Sequence, residues 1–220
     1  MEKLYVSNKN ESARMFKSDF LEFFSKVHFT APLFVFLPVV GYLYYISYSD
    51  RVYSILGFIG LSLAGFIAWT AVEYFMHRFI FHYHPTSAAG KRFFFLIHGV
   101  HHDYPNDAKR LVLPPIMSIP LATFFYFLFR YTMGESYLPP FFAAFLIGYL
   151  FYDIGHYAMH HFKLKGKFWG AIKDHHMKHH YVNPERGFGV SSPIWDVVLN
   201  SGYEDENSSK KEKAQKPTSV

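Results

Sequence analysis

Four stretches of this chain carry no charged side chain, and their lengths limit what it can fold into. They are Thr30–Tyr48, Val52–Ala71, Leu113–Phe129 and Leu138–Tyr152. A helix needs about 20 predominantly apolar residues to cross the roughly 30 Å hydrocarbon layer. The first two runs meet that length. The last two are opened by Pro114–Pro115 and Pro139–Pro140, where a helix start tolerates proline. The fourth helix is expected to continue past Asp153 to His161. Pro120, inside the third, can be accommodated by neighbouring helices. Spans are therefore expected at about 30–48, 52–75, 113–131 and 138–160, with Asp50 and Arg51 in a tight turn between the first two. Half of the residues are hydrophobic and only 18% are charged. The 26 Phe and 17 Tyr gather in these blocks, which excludes a wholly soluble globule.

Charge orients the hairpins. Five Lys and Arg precede residue 29, five lie in 76–112 and ten follow residue 161, whereas the two opposite loops hold Arg51 and Arg130. Basic residues collect on the cytoplasmic side. Both termini and the 76–112 loop are thus expected there. The net charge of +5 flanks the apolar blocks and forms no nucleic-acid-binding stripe. Residues 1–29 read as a cytoplasmic segment without a cleaved leader, and 204–220 as a disordered, charged tail. No cysteine is present. That excludes disulfides, thiolate nucleophiles, Cys-ligated zinc and iron–sulfur clusters within these residues.

Thirteen of the 14 histidines fall between residues 77 and 180. They form four clusters: His77-x4-His82, His98-x2-His101-His102, His156-x3-His160-His161 and His175-His176-x2-His179-His180. Residues three and four apart share a helix face. His98, His101 and His102 are accordingly expected to point at one spot, and so are His176, His179 and His180. His156 and His160 make a further pair. His77 and His82, five apart, cannot share a face of a straight helix, so one of them is expected at a helix end. His161 is turned about 100° from His160 and ranks below it. His175 is a candidate for supporting a ligand from behind, and His84 and His28 read as incidental. Ten clustered imidazoles exceed one coordination sphere, so two metal ions are implied. A structural zinc needs only four ligands, and imidazole also suits iron. The expectation is an all-α membrane protein: four transmembrane helices with a cytoplasmic His-rich helical cap, built from 76–112 and 154–203, that holds a dinuclear metal site. An iron pair beside a membrane points to an oxygenase or desaturase acting on lipid C–H bonds. A metal transporter fits less well, because its ionisable residues would lie within the spans.

The His series resembles the fatty acid hydroxylase superfamily of membrane di-iron enzymes, which also includes sterol, carotenoid and sphingolipid oxygenases. Two further stretches resemble its fatty acid 2-hydroxylase branch: His101-His102-Asp-Tyr-Pro-Asn-Asp107-Ala-Lys-Arg110-Leu-Val-Leu-Pro-Pro115 and Tyr181-Val-Asn-Pro-Glu-Arg-Gly187-Phe-Gly189-Val-Ser-Ser-Pro-Ile-Trp195-Asp196. The likeness covers roughly 70–200 within a hydroxylase domain expected over 30–203.

The resemblance implies ten ligands: His77, His82, His98, His101, His102, His156, His160, His176, His179 and His180. It places Tyr149, Tyr152 and Asp153 in the site beside the third box, with Asp153 available to orient an imidazole and Glu73 a weaker candidate. It implies two Fe(2+), exchangeable for Zn(2+) on purification, with O2 as co-substrate. The reaction implied is 2-hydroxylation of the acyl chain of a fatty acid or ceramide-type lipid. Many members of this branch carry a fused cytochrome b5 domain. No His-Pro-Gly-Gly haem motif stands here, nor a Gly-x-Gly-x-x-Gly fingerprint. A separate electron donor, such as a cytochrome b5 or a ferredoxin, is therefore expected to dock near Lys163, Lys165, Lys167 and Lys173. The membrane would be the inner or plasma membrane in a bacterium and the endoplasmic reticulum in a eukaryote.

Overall fold

Charge-free runs fold as helices wherever no water can serve the backbone. The computed structural model, which describes residues 3–49 and 53–203, is helical throughout, with no strand among the described residues. A short α1 (Asp19–Phe24) precedes α2 (Ala31–Ser49) and α3 (Ile55–Met76). After α3 come α4 (Ala88–Phe94), α5 (Val100–Asp103), α6 (Pro115–Met133), α7 (Leu138–His161), α8 (Lys167–Tyr181) and α9 (Ile194–Val198). Four of them, α2, α6, α7 and α3 with its extension to Phe81, are long and apolar enough to cross a membrane. Pro120 lies inside an unbroken α6. The expected Asp50–Arg51 turn and the 204–220 tail lie outside the described residues.

The central helix is α7. Two thirds of its apolar window is buried, against about one tenth for α3 and α6, so α7 is the post and the other spans turn most of their surface outward. Helices in lipid gain little from hydrophobic exclusion and pack by close backbone approach over small residues. Gly65 of α3 and Gly148 of α7 supply that approach. A Cβ on Gly65 would stand 2.0 Å from the Phe141 carbonyl oxygen, and one on Gly148 would stand 2.6 Å from Trp69. Trp69 then meets Phe145 and Tyr149 edge-on, each at 5.3 Å. This core holds α7 so that its C-terminal turns, with His156 and His160, project into the cap.

The polar stretch before α2 is folded onto that cap. The backbone N–H groups of Val6 and Ser7 donate to Asp103 O, at 2.9 and 3.1 Å, and Val27 N–H donates to Lys109 O at 2.9 Å. Arg110 is the fastening: its guanidinium meets Glu22 at 2.5 Å and Asp107 at 3.3 Å, with all three side chains buried.

Candidate metal centre

Two groups of five imidazoles form at the top of the bundle. One is His77, His82, His98, His102 and His179; the other is His101, His156, His160, His176 and His180. Within each group the ligand atoms all lie within 4.8 Å of one another. All ten candidate ligands are thereby brought together, but not in the groupings that spacing suggested.

Three of the i, i+4 pairs stay intact: His98 with His102, His156 with His160, and His176 with His180. The third member of each expected triad goes elsewhere. His101 joins the second group and His179 the first. The reason is the helical turn of about 100° per residue. Adjacent histidines on α5 and α8 point apart, and here there is a centre on each side to receive them. His82 lies at a helix end, as expected of one of the pair, but it still meets His77 because of the way α3 closes. The helix widens into a π-helical turn, His77–Phe81, closed by the i→i+5 bond from His82 N–H to His77 O at 3.1 Å. The wider turn puts both rings on one side, their Nε2 atoms 3.2 Å apart. A second π turn, Phe95–Gly99, carries His98. Isolated π turns of this kind recur at functional sites.

The donor geometry fits metal ions. Neighbouring Nε2 atoms are spaced 3.1 Å (His77–His98), 2.9 Å (His98–His102) and 3.0 Å (His82–His179) in the first group. In the second they are spaced 2.9 Å (His101–His156), 3.0 Å (His160–His176) and 3.1 Å (His176–His180). With metal–nitrogen bonds of about 2.1 Å, ligands at right angles lie about 3.0 Å apart. Behind the first group, His77 Nδ1 donates to Phe188 O at 2.5 Å and His179 Nδ1 to Arg186 O at 2.8 Å. That leaves each Nε2 lone pair facing inward, the usual support for a metal-bound imidazole. Burial, followed by mutual repulsion, holds the imidazoles of the cap neutral. His98, His101, His102, His176 and His180 titrate well below the ordinary histidine range. His82 is pushed down to about 2, and burial draws His179 down to about 4. The two centres share a wall, with the His102 ring stacked on His180 at 4.4 Å.

The carbonyls behind the first group are aimed by the 187–196 stretch. Asp196 accepts from the N–H groups of Phe188 (2.9 Å) and Gly189 (2.7 Å), and from His175 Nε2 and Ser201 Oγ. Burial alone would raise the Asp196 pKa, and these donors hold it below the ordinary carboxylate range. Glu73 reaches across from α3 and accepts from the N–H groups of Val190 (2.8 Å) and Ser191 (2.7 Å) and from the Ser191 hydroxyl. Its influence on the histidines thus runs through the loop. His175 does not stand directly behind a candidate ligand: its Nε2 bonds Asp196 at 3.0 Å, which in turn holds the loop. His161 stands outside both groups, stacked on Tyr157 at 4.6 Å. His84 pairs with Glu185 and His28 with Thr30 at the surface.

Asp153 is fully buried but does not hold an imidazole: it accepts from Leu113 N–H at 3.1 Å and from the Tyr149 hydroxyl at 3.0 Å. The i, i+4 spacing on α7 favours Tyr149 as its partner. Tyr152 lies nearly parallel to His156, with ring centroids 5.9 Å apart. These three residues line a cavity of about 360 Å³ that reaches His98 of the first group and His101 and His156 of the second. Its remaining wall is mostly apolar, with Trp69, Met76, Leu96, Ile97, Leu113 and Leu121 among the lining residues. Sequence reasoning missed the contribution of the N-terminal stretch, whose Met15, Phe16, Leu21 and Phe24 close one side. The cluster of aromatics at 20–24 inside a polar segment was the available signal. The Arg186 and Phe188 carbonyls were missed as well, since backbone acceptors leave no mark on residue type.

Comparison with known proteins adds a family. Residues 62–201 match the fatty acid hydroxylase family model. A fatty acid 2-hydroxylase of Rattus norvegicus is 37% identical over 209 residues, covering 86% of this chain and 56% of the relative. A dihydroceramide fatty acyl 2-hydroxylase of Arabidopsis thaliana is 36% identical, covering 87% of this chain and 80% of the relative. The chain thus spans little more than half the length of the mammalian proteins that it matches. A solved structure described as full-length scs7p, with only its hydroxylase domain visible, superposes with a TM-score of 0.79 at 35% identity over 84% of this chain and 70% of that one.

Proposed function

Because the chain belongs to the fatty acid hydroxylase family, we propose that it hydroxylates C2 of the acyl chain of a fatty acid or ceramide-type lipid, with O2 as oxidant and two Fe(2+) held by the ten histidines. One observation carries the reading: two five-imidazole groups open onto one apolar cavity. The relatives' names, fatty acid 2-hydroxylase and dihydroceramide fatty acyl 2-hydroxylase, favour an acyl substrate over a carotenoid or sterol. The overall change is 2-CH2 to 2-CHOH. O2, two electrons and two protons are consumed, and one oxygen atom leaves as water. When bound, the iron pair supplies the oxidising power that an unactivated C–H bond requires.

The chain's own residues bind, orient and exclude. The apolar wall takes up the acyl chain and keeps water from the reacting carbon. Tyr149, tied to Asp153, and Tyr152, lying over His156, put polar groups where an apolar tail gives way to a carbonyl-bearing head. The distribution of Lys and Arg supports a cytoplasmic cap with both termini on that side. Electrons would come from a separate carrier, a cytochrome b5 or a ferredoxin, drawn to the basic surface of Lys163, Lys165, Lys167 and Lys173. Zinc would compete for the same imidazoles during purification.

The test is lipid mass spectrometry of a heterologous host expressing the wild-type chain or His156→Ala. Gain of 2-hydroxy acyl chains with the wild type alone is expected. No such gain, or new hydroxycarotenoids in its place, would overturn the assignment.

A further inference from the structure

The six residues of α1, Asp-Phe-Leu-Glu-Phe-Phe, present one polar side chain inward and leave their aromatic rings outside. Glu22 is 7% exposed, and its carboxylate receives Arg110 and the N–H groups of Met15 and Phe16. Phe20 and Phe23 are 69% and 73% exposed. Both lie edge-on to Phe24, at 4.9 and 5.4 Å, so the three rings form one patch. A contiguous exposed aromatic patch is costly in water and marks a surface that something covers.

Its position identifies the cover. Between α1 and the first span, Val27 is bonded to Lys109, and Phe29 stacks on Tyr157 near the end of α7, with centroids 4.3 Å apart and planes 12° apart. The segment therefore lies level with the ends of two spans, where a bilayer's acyl layer begins. Lys17 and Lys26 flank it, as basic residues flank helices that lie in a membrane interface.

The same helix borders the cavity. Leu21 and Phe24 line it, and so do Ile116 and Met117 at the start of α6 and Phe93 of α4. All five are also substantially exposed on the outer surface, Phe93 at 61% and Ile116 at 59%. Side chains that belong both to the cavity wall and to the outer surface mark its mouth. That mouth is framed by apolar groups at the level of the span ends, so it faces lipid.

We propose that α1 is an interfacial helix, with Phe20 and Phe23 among the acyl chains of the bilayer, and that the gap between α1 and the start of α6 is a lateral port through which a membrane lipid enters the cavity. The idea rests on the lipid-substrate reading above, and the experiment separates the two.

Because the 220 residues contain no cysteine, single replacements can each carry one environment-sensitive fluorophore. Phe20→Cys and Phe23→Cys are labelled in phosphatidylcholine/phosphatidylglycerol vesicles containing spin-labelled acyl chains. Phe34→Cys on the outer face of α2 and Glu185→Cys on the cap are the references. Quenching at 20 and 23 close to that at 34, and several-fold above that at 185, is expected. Quenching at the level of 185 overturns the interfacial helix. For the port, wild type, Leu21→Trp and Met117→Trp are exposed to a phosphatidylcholine bearing a diazirine on its acyl chain, and lipid captured by the protein is counted after illumination. Capture should fall several-fold in both variants, with metal content and thermal midpoint unchanged. Wild-type capture in both overturns the port. Where either variant misfolds, the fluorophore measurements still decide the interfacial placement. A wild type that captures lipid but hydroxylates none refutes the proposed reaction and leaves the port standing.

Discussion

His101 and His102 are neighbours in sequence but belong to different centres, and metal counting can expose the difference. Two double variants each remove two histidines. His98→Ala with His102→Ala takes both from the first group and leaves His77, His82 and His179. His101→Ala with His102→Ala takes one from each and leaves four nitrogens in both. Losing even a partner behind a ligand costs about 10–100-fold in metal affinity, so a lost ligand costs at least tenfold. Two losses at one centre then weaken it by at least about 100-fold, or ~2.7 kcal/mol. One loss at each centre weakens each by about tenfold, or ~1.4 kcal/mol. Both proteins are loaded and dialysed against a graded chelator, and retained metal is read by elemental mass spectrometry. There should be a window in which wild type and the 101/102 variant hold about two ions per chain and the 98/102 variant about one. The mirror variant, His156→Ala with His160→Ala, should likewise lose one ion, the other one. If the 101/102 variant instead sheds one ion while keeping the second intact, the triad grouping that spacing suggests is right and the division described here is wrong.

Three other outcomes follow from local geometry. Gly148→Ala should lower the thermal midpoint in detergent by several degrees, because overpacking costs about 1–3 kcal/mol and the new Cβ would stand 2.6 Å from Trp69; an unchanged midpoint would mean that α3 and α7 are not packed this closely. Tyr152→Phe should lose about tenfold in turnover, roughly one hydrogen bond, with metal retained; metal loss would show that the ring serves the fold. Burial works to raise Glu22, yet Lys26, the N–H groups of Met15 and Phe16 and Arg110 draw it down from 4.5 to about 2. A depressed carboxylate contributes stability that is present above pH 4.5 and lost as pH falls toward 2, so the protection of the Met15 and Phe16 amides relative to their intrinsic exchange rates should fall over that interval in wild type, and a Glu22→Gln chain should show no such acid step.

The apolar helices and the clustering of the candidate ligands were legible because each leaves a mark on residue type: long uncharged runs, and ten grouped imidazoles in a chain without thiols. What could not be read was direction. Spacing places His98, His101 and His102 on one helix, but whether one centre or two flank that helix depends on where α7 and α8 stand. On α-helical geometry His77 and His82 face different sides, and an i→i+5 turn brings them together without any residue that announces it. Asp153 was expected to face an imidazole three residues on, but it faces Tyr149 four residues back and the start of α6. The N-terminal stretch reads as a mixed, polar cytoplasmic segment. Its role as a cavity wall depends on Glu22 meeting Arg110, 88 positions away, and one sequence carries no sign of such a pairing.

The division of neighbouring histidines has a mechanical consequence. Both α5 and α8 hold adjacent histidines, 101/102 and 179/180, that serve opposite centres. Each of these helices is therefore a rigid spacer between the two centres, and the stacked His102 and His180 rings fill the wall. A helix backbone fixes the angle between successive side chains at about 100°, so the separation of the centres is set by secondary structure and not by loop conformation. What stays adjustable is the support behind each ring. On the first group that support is the 186–191 stretch, whose carbonyls are aimed by Glu73 and Asp196. Glu73 belongs to a span and also lines the cavity. A molecule that pressed on Glu73 from the cavity would thus reach His77 through the loop and its Phe188 carbonyl, a second route to the first centre beside direct contact with His98.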